Sequence, residues 1–355
     1  MTAKYRNIVN ELELELKQMH SEGKTRLPSE KDLCEVYSCS RQTIRTSLNV
    51  LEQKGLIVKI KGSGSYISDA IENTSDTVIF ITEDQDGYIY PSLIEQLKKD
   101  LNLKKLKLKV ESTGASISRE KKSLLDVIES HAAAVIIDPI RNMVPNSNVD
   151  LIDKIKSLDI PVIFLGSPYQ NLDDTLMINE DNVEGSNLLV RHLFENGHKK
   201  ISGVFRVDDA KGLMRYQGTM NAINDNGLTF NEENFMLITH SDERKISCGD
   251  HGILNMFMTE CLKDNDAIIC QNDIIAYHLI NTLNKKGIRV PEDVAVVSFD
   301  NSYLSSKDMK ITSIGHNEKA LVNAITESIL SSISHKKKKY PVIPWELHVR
   351  QSSKR

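Results

Sequence analysis

The chain has 355 residues, 40 % hydrophobic and 26 % charged with a formal charge of -4, a length and balance that favour a globular protein of two or three domains. No apolar run reaches the ~20 residues of a membrane span, and the start, MTAKYRNIVNELELEL, lacks the apolar core of a signal peptide, so a cytoplasmic protein with no membrane partner is expected. The five cysteines (Cys34, Cys39, Cys248, Cys261 and Cys270) are odd in number and form no CxxC pair, which argues against a disulfide framework and a zinc site.

Charge is unevenly spread along the chain. Residues 1–68 carry eleven Lys and Arg against eight Asp and Glu, a net of +3, which leaves -7 on the remainder. A polyanionic partner is therefore expected at the first 68 residues. Ile8, Val9, Leu12, Leu16 and Met19 recur at helical spacing, with Gly23 as the stop. Ser29 caps a second helix, whose first turn gains from Glu30 and Asp32 and whose apolar face is Leu33, Val36 and Tyr37. In CSRQTIRTSL, Ser40 caps a third helix; Ile44, Leu48 and Leu51 line one side, and Gln42, Arg45 and Asn49 face out. Arg41 and Arg45 stand near the positive end of that helix, an arrangement that costs stability unless an anion lies against it. LIVKIKGSGSYIS then reads as a hairpin, with Lys59 and Lys61 flanking a glycine tip. Three helices and a hairpin make a winged helix-turn-helix, which places one helix in a major groove and the tip along a minor groove. Taken singly, each of these features also suits an ordinary three-helix module with a solvated basic face.

The ungapped stretch LPSEKDLCEVYSCSRQTIRTSLNVLEQKGLIVKIKGSGSYI (27–67) resembles the GntR family of bacterial regulators. That resemblance implies contacts to double-stranded operator DNA from Lys31, Ser40, Arg41, Thr43, Arg45 and Gly62, and Lys4 and Gln42 are further candidates. Gln42 stands where the family often has a small hydroxyl residue, so base preference stays open.

A polar linker follows at 69–76. Aliphatic runs then alternate with helical patterns over 77–355: TVIFIT, LKLKVES, AAVIID, PVIFLG, ISGVFR, AIIC and VAVVSFD. That alternation predicts an α/β body whose parallel strands have helices on both faces, as one large sheet or two smaller ones. No GxxxxGK[ST], no GxGxxG after a strand, no HExxH and no GxSxG occurs, so no enzyme, cofactor or metal centre is expected. A ligand of an open α/β sheet sits beyond the carboxyl ends of its strands. Polar residues collect there: Tyr88 and Tyr90, Asp138 and Arg141, Ser167 and Tyr169, Asp208 and Asp209, Arg215, Asn272 and Asp273, Asp300 and Asn301. Acceptor-only carboxylates and donor-only arginine suit a polyhydroxylated ligand, with tyrosines against an apolar sugar face. Read alone, Asp209 and Asp273 are equally expected as helix N-caps. HKKKKYP (335–341) reads as a solvated turn before the final strand, and Trp345 as a packing residue.

NEDNVEGSNLLVRHLFENGHKKI, DDAKGLMRYQGTMNAI, QNDIIAYHLINTLNKKGIRVPEDVAVVSFDNSYL and ITSIGH resemble the LacI/GalR type of effector domain. The resemblance implies the periplasmic-binding-protein-like fold of two lobes joined by crossing strands, with lobe 1 at about 77–178 and 303–332 and lobe 2 at about 179–300 and 333–355. It places effector contacts on Arg215, Asn272 and Asp300, with His316 facing the crevice from a lobe crossover. A GntR-type head on such a body, together with KYRNIV, IIDPIRNM and FRVDDAKGLMR, resembles the arabinose-operon repressors of Gram-positive bacteria. That implies a homodimeric repressor released from its operator by L-arabinose. The alternatives are another pentose or hexose, the opposite ligand response, a transport-type sugar-binding protein, and a sugar-modifying enzyme.

Overall fold

The computed structural model describes residues 2–53, 55–68, 76–172, 174–306, 309–334 and 342–354. The expected linker, apart from Asp76, and the lysine-rich HKKKKYP segment lie outside the described residues, as does the side chain of Lys4.

In the head, α1 (Thr2–Ser21), α2 (Glu30–Val36) and α3 (Arg41–Gln53) precede a hairpin of β1 (Ile57–Ile60) and β2 (Gly64–Ile67). Ile8, Val9, Leu12, Leu16, Leu33, Ile44, Leu48 and Leu51 close one core with Ile57 and Ile67. This is the expected winged helix-turn-helix, held by its own apolar cluster. Ser29 and Asp32 form a reciprocal capping box at α2, which satisfies two end donors at once. Gly62, at φ 80, turns the hairpin, and Ile60 pairs with Gly64 across it.

The body has two parallel sheets. The first is built from β3 (Thr77–Thr82), α4 (Tyr90–Leu103), β4 (Lys107–Ser112), α5 (Ile117–Glu129), β5 (Ala134–Ile137), α6 (Val149–Ser157), β6 (Val162–Leu165) and β7 (Leu176–Ile178), in the order β4-β3-β5-β6-β7. The chain then crosses to α7 (Asn182–Glu195), β8 (Ile201–Arg206), α8 (Ala210–Asp225), β9 (Phe235–Ile238), α9 (His240–Ser247), α10 (Gly252–Phe257), β10 (Ala267–Cys270), α11 (Asp273–Lys285), β11 (Ala295–Asp300), α12 (Tyr303–Ser306) and β12 (Thr312–Gly315). It returns through α13 (Glu318–Ile333) to pack on the first sheet, and ends at β13 (Glu346–His348) in the second, ordered β13-β12-β11-β10-β8-β9. Among the described strands of these two sheets, β13 alone runs antiparallel. Each sheet has apolar clusters on both faces, which is why the strands read as near-continuous aliphatic runs.

Both sheets share one strand logic: the first strand, β3 or β8, has the second on one side and the third on the other. Each lobe thus has a switch point, where adjacent connections leave to opposite faces and open a crevice at the carboxyl ends.

The lobe boundary differs from expectation. Residues 303–315 are expected in lobe 1, yet β12 pairs with β11 from Val297–Thr312 to Asp300–Gly315, so α12 and β12 belong to lobe 2 and the crossover falls at His316. Ile343, placed in lobe 2, sits in the core of lobe 1 beneath α13.

Asp273 ties the second lobe together and is 0 % exposed. Its carboxylate accepts from Ser298 Oγ, from Ser313 Oγ at 2.7 Å, and from the Ser302 backbone N–H and Oγ at 2.6 and 2.9 Å. These bonds join α11 to β11, β12 and the turn before α12. Asp273→Ala leaves all four donors without that acceptor and is expected to cost about 2–4 kcal/mol, read as a lower urea midpoint at an unchanged slope.

Candidate functional site

Two polar surfaces stand out. On the head, Lys31 at the start of α2 and Arg41, Gln42 and Arg45 in the first turns of α3 are exposed. The Ser40 hydroxyl accepts from the Thr43 backbone N–H at 3.3 Å and lies 2.9 Å from its hydroxyl, so both residues form the cap. Arg45 Nε donates to Glu30 at 3.0 and 3.2 Å, which anchors the guanidinium while its remaining nitrogens face out. Arg26, which sequence reading did not single out, donates to Ser63 O at 2.6 Å and lies over the Tyr66 ring, so it braces the wing tip. Lys59 bonds back to Glu52 at 3.1 Å and to Asn49, whereas Lys61 is exposed beside Gly62.

The second surface is a crevice of about 340 Å³ between the lobes, at the switch points of both sheets. Of the expected contacts, Tyr88, Tyr90, Asp209, Arg215, Asn272, Asp300 and His316 line it. Asp138 lines it too, whereas Arg141, Ser167, Tyr169, Asp208, Asp273 and Asn301 do not. Arg141 has φ 53, and that left-handed turn presents its neighbour Asn142 inward instead. Tyr169 is 3 % exposed in the lobe 1 core; it packs edge-on against Phe164 and donates its hydroxyl to buried Glu120. Asp273 serves the network described above.

Arg215 is the best-anchored cation. It leaves α8 and donates from Nε to Asn182 at 2.9 Å, from one terminal nitrogen to Gln271 O at 2.6 Å and from the other to Asp300 at 3.1 Å, while lying 4.3 Å over the Phe299 ring. His316 lies 3.7 Å from the same Asp300 and bonds Glu180 through Nδ1 at 2.6 Å. Burial works to lower its pKa, but the Glu180 and Asp300 carboxylates outweigh burial and raise it. Its Nε2 is buried and has no hydrogen-bond partner among the described residues.

Arg206, at the end of β8, is paired with Asp209 and Glu243, the latter at 2.9 Å. Asp209 also caps α8 by accepting from Gly212 N–H at 2.6 Å, so the N-cap reading and the lining reading both hold for it. Gly212 has no alternative there, since a Cβ would stand 1.9 Å from Arg206 O. Asn272 caps α11 through the Ile275 N–H at 3.0 Å and donates to Glu243 at 2.5 Å. Lys211 reaches across to Asp138 at 2.9 Å, and Tyr90 donates to the same carboxylate.

The lobes touch directly elsewhere. Tyr88 hydroxyl accepts from Asp273 N–H at 2.8 Å, Asn142 accepts from Ala210 N–H at 2.8 Å, and His240 Nε2 lies 3.0 Å from Glu83. Seven carboxylates line the crevice against four Arg and Lys, and the arginines and lysine at its centre, Arg206, Lys211 and Arg215, are each matched to a carboxylate. An added anion would meet an acidic surface with those three cations engaged, whereas a neutral polyol can exchange hydrogen bonds with it.

Arg206, Glu83, Glu180, Lys211, His240 and Glu243 went unassigned from sequence. Arg206 ended a recognised strand, and Glu180 precedes the Asp181 cap of α7, which are the local signals for those two. Glu243 and His240 lie on α9, a short helix too polar to show an apolar stripe.

Glu83 is displaced by this setting: burial, with Glu243 and Asp138 nearby, raises its pKa to about 7 against the pull of Arg206. A folded pKa above the unfolded value means that stability is lost as pH rises from about 4.5 to 7. In ligand-free protein, Glu83→Gln is expected to melt above wild type at pH 8, with the gap closing toward pH 5. A gap that is the same at both pH values would count against this.

Residues 4–67 match the bacterial regulatory proteins of the gntR family, and residues 190–353 match the periplasmic binding protein-like domain. The arabinose metabolism transcriptional repressor of Halalkalibacterium halodurans is 26 % identical over 321 residues, covering 88 % of this chain and 84 % of that protein. Its counterpart in Geobacillus stearothermophilus is 25 % identical over 315 residues, covering 88 % and 86 %. Among solved structures, a periplasmic binding protein/LacI transcriptional regulator from Alkaliphilus metalliredigens, complexed with D-xylulofuranose, superposes with a TM-score of 0.66 at 21 % identity, over 79 % of this chain and 99 % of that one. Such likeness carries the two-lobed fold. These relatives are regulators of transcription, not enzymes. The chain thus joins a region that matches the bacterial regulatory proteins of the gntR family to one that matches the periplasmic binding protein-like domain.

Proposed function

We propose that this protein represses sugar-utilisation genes and is released from its operator by a neutral sugar, L-arabinose. The observation that carries the reading is the crevice: acidic, with Arg206, Lys211 and Arg215 each paired to a carboxylate, at two switch points, and with the buried Nε2 of His316 lacking a hydrogen-bond partner among the described residues beside Arg215 and Asp300. A pentose hydroxyl both donates and accepts, so it can satisfy that ring nitrogen and an adjacent carboxylate together. The names of the two arabinose repressors, matched over both regions, support the choice of sugar.

On the head, Arg41 at the front of α3 serves a phosphate and Arg45 a base edge, with Lys31, Gln42, Thr43 and Ser40 around them and Gly62 at the minor groove. Two copies would set their α3 helices in successive major grooves, about 34 Å apart. Release requires that the sugar bind the DNA-incompetent arrangement more tightly; a coupling of about 1–3 kcal/mol is typical of such linkage.

The test starts from a palindromic duplex selected by the protein from random sequences. Arg45→Ala should lose about 1–3 kcal/mol and blur base preference, whereas Arg41→Ala should weaken all duplexes and flatten the salt slope by about one. L-arabinose should bind by calorimetry and loosen the complex, and Arg215→Lys should keep operator affinity but lose the sugar response. Absence of heat across a pentose panel, or an operator complex indifferent to every sugar, would overturn the ligand assignment.

A further inference from the structure

The turn between α2 and α3 holds a cysteine at each end. Cys34 lies in the last turn of α2, and Cys39 immediately precedes Ser40, the cap of α3. Tyr37 is the C-cap of α2, Ser38 follows it in the left-handed region at φ 46, and the Cys39 backbone N–H donates to Cys34 O at 3.2 Å. That bond is the Schellman close of a helix, in which the side chain three residues before the cap meets the one two residues past it. With trigonal geometry at the carbonyl and the amide, a bond of 3.2 Å limits the two Cα atoms to a separation of about 6.5 Å, inside the roughly 4.4–6.8 Å that a disulfide spans. Both side chains pack against the apolar cluster of the head, so they leave the turn toward the same side, and both keep part of their surface open to solvent.

We propose that Cys34 and Cys39 form a modification site: a hydroperoxide oxidises them to an intramolecular disulfide, and the oxidised head binds its operator more weakly. One sulfur, as thiolate, attacks a peroxide oxygen; the O–O bond breaks, the departing oxygen takes up the thiol proton and leaves as an alcohol or water, and a sulfenic acid remains. The second sulfur displaces hydroxide from that sulfenic acid, and its own proton turns the hydroxide into water. Two thiols and one hydroperoxide thus give one disulfide, one alcohol or water, and one further water. A bond across so short a segment, at the surface, belongs with the reducible disulfides and not with the structural ones. It ties the residue before the α3 cap to the last turn of α2, and so resets the approach of the helix that carries Arg41 and Arg45 to the one that carries Lys31. A phosphate anchor displaced relative to a base-edge contact weakens both. The effect on the operator rests on the DNA reading above; the covalent step does not.

The experiment uses the full chain carrying Cys248→Ser, which removes the exposed thiol of the body, treated with hydrogen peroxide and then alkylated. Trypsin cuts after Lys31 and Arg41 and leaves DLCEVYSCSR, with both sulfurs in one peptide. That peptide is expected to be unalkylated and lighter by two hydrogens. The dissociation constant for the selected duplex should rise at least fivefold, and dithiothreitol should reverse both changes. Adding Cys34→Ser should keep the untreated affinity within twofold and abolish the peroxide response; Cys39→Ser replaces it if the first variant does not fold. Both sulfurs alkylated after treatment, or either one carried on to sulfinic acid with no disulfide, overturns the site. A disulfide that leaves operator affinity unchanged overturns the effect on DNA, as does a peroxide response that persists in Cys34→Ser. Untreated protein that binds no duplex removes the DNA reading, while the mass of the peptide still decides the disulfide.

Discussion

Arg215 is the interaction on which the body depends. Its fork reaches the start of α7, the carbonyl after β10 and the last residue of β11, so one planar cation fixes three carboxyl-end features at once. Lysine could not do this, because it lacks the rigid fork and the flat face that lies on Phe299. Buried pairs of this kind are costly to desolvate, and the cost is tolerable only where the remaining donors are satisfied. Here each of the three guanidinium nitrogens has an acceptor, and the Glu180–His316 pair adjoins them, with His316 3.7 Å from Asp300.

The head solves a different problem. It is small, so it relies on caps and a closed aliphatic cluster more than on polar networks. Its outward arginines would be unfavourable at a helix N-terminus, and Glu30, already helpful to the first turn of α2, takes part of that load by holding Arg45. The pair is exposed, so it contributes little to stability, and its effect is to limit where the guanidinium points.

How much of this could be read from the residues depended on the scale of the signal. The helices and hairpin of the head were legible because cap, apolar stripe and glycine turn agree at each step. The seven aliphatic runs were legible because both faces of each sheet are covered. Strands β7, β9 and β12 were not picked out, and length alone does not explain it, since β5, β6 and β10 also have four residues. At the site, a polar residue after a strand was a good guide to position and a poor one to role. Asp209, Asn272 and Asp300 reach the crevice, while Tyr169 and Asp273 spend the same chemistry inside the fold. Arg141 failed through a single backbone turn of positive φ, which shifts the inward-facing position by one residue.

Three passages of chain join the lobes, and they run close together. Glu180 bridges Ile343, with Ile343 N–H donating to Asn179 O at 2.8 Å and Asp181 N–H to Ile343 O at 3.0 Å, and His316 on the third passage is bonded to Glu180. Ile343 is rooted under α13 and Trp345, two residues later, in the opposite core. A spine stitched in this way resists sliding and shear but yields to rotation about its own length, like the binding of a book. An opening or closing of the crevice would therefore register as a single angle between the lobes.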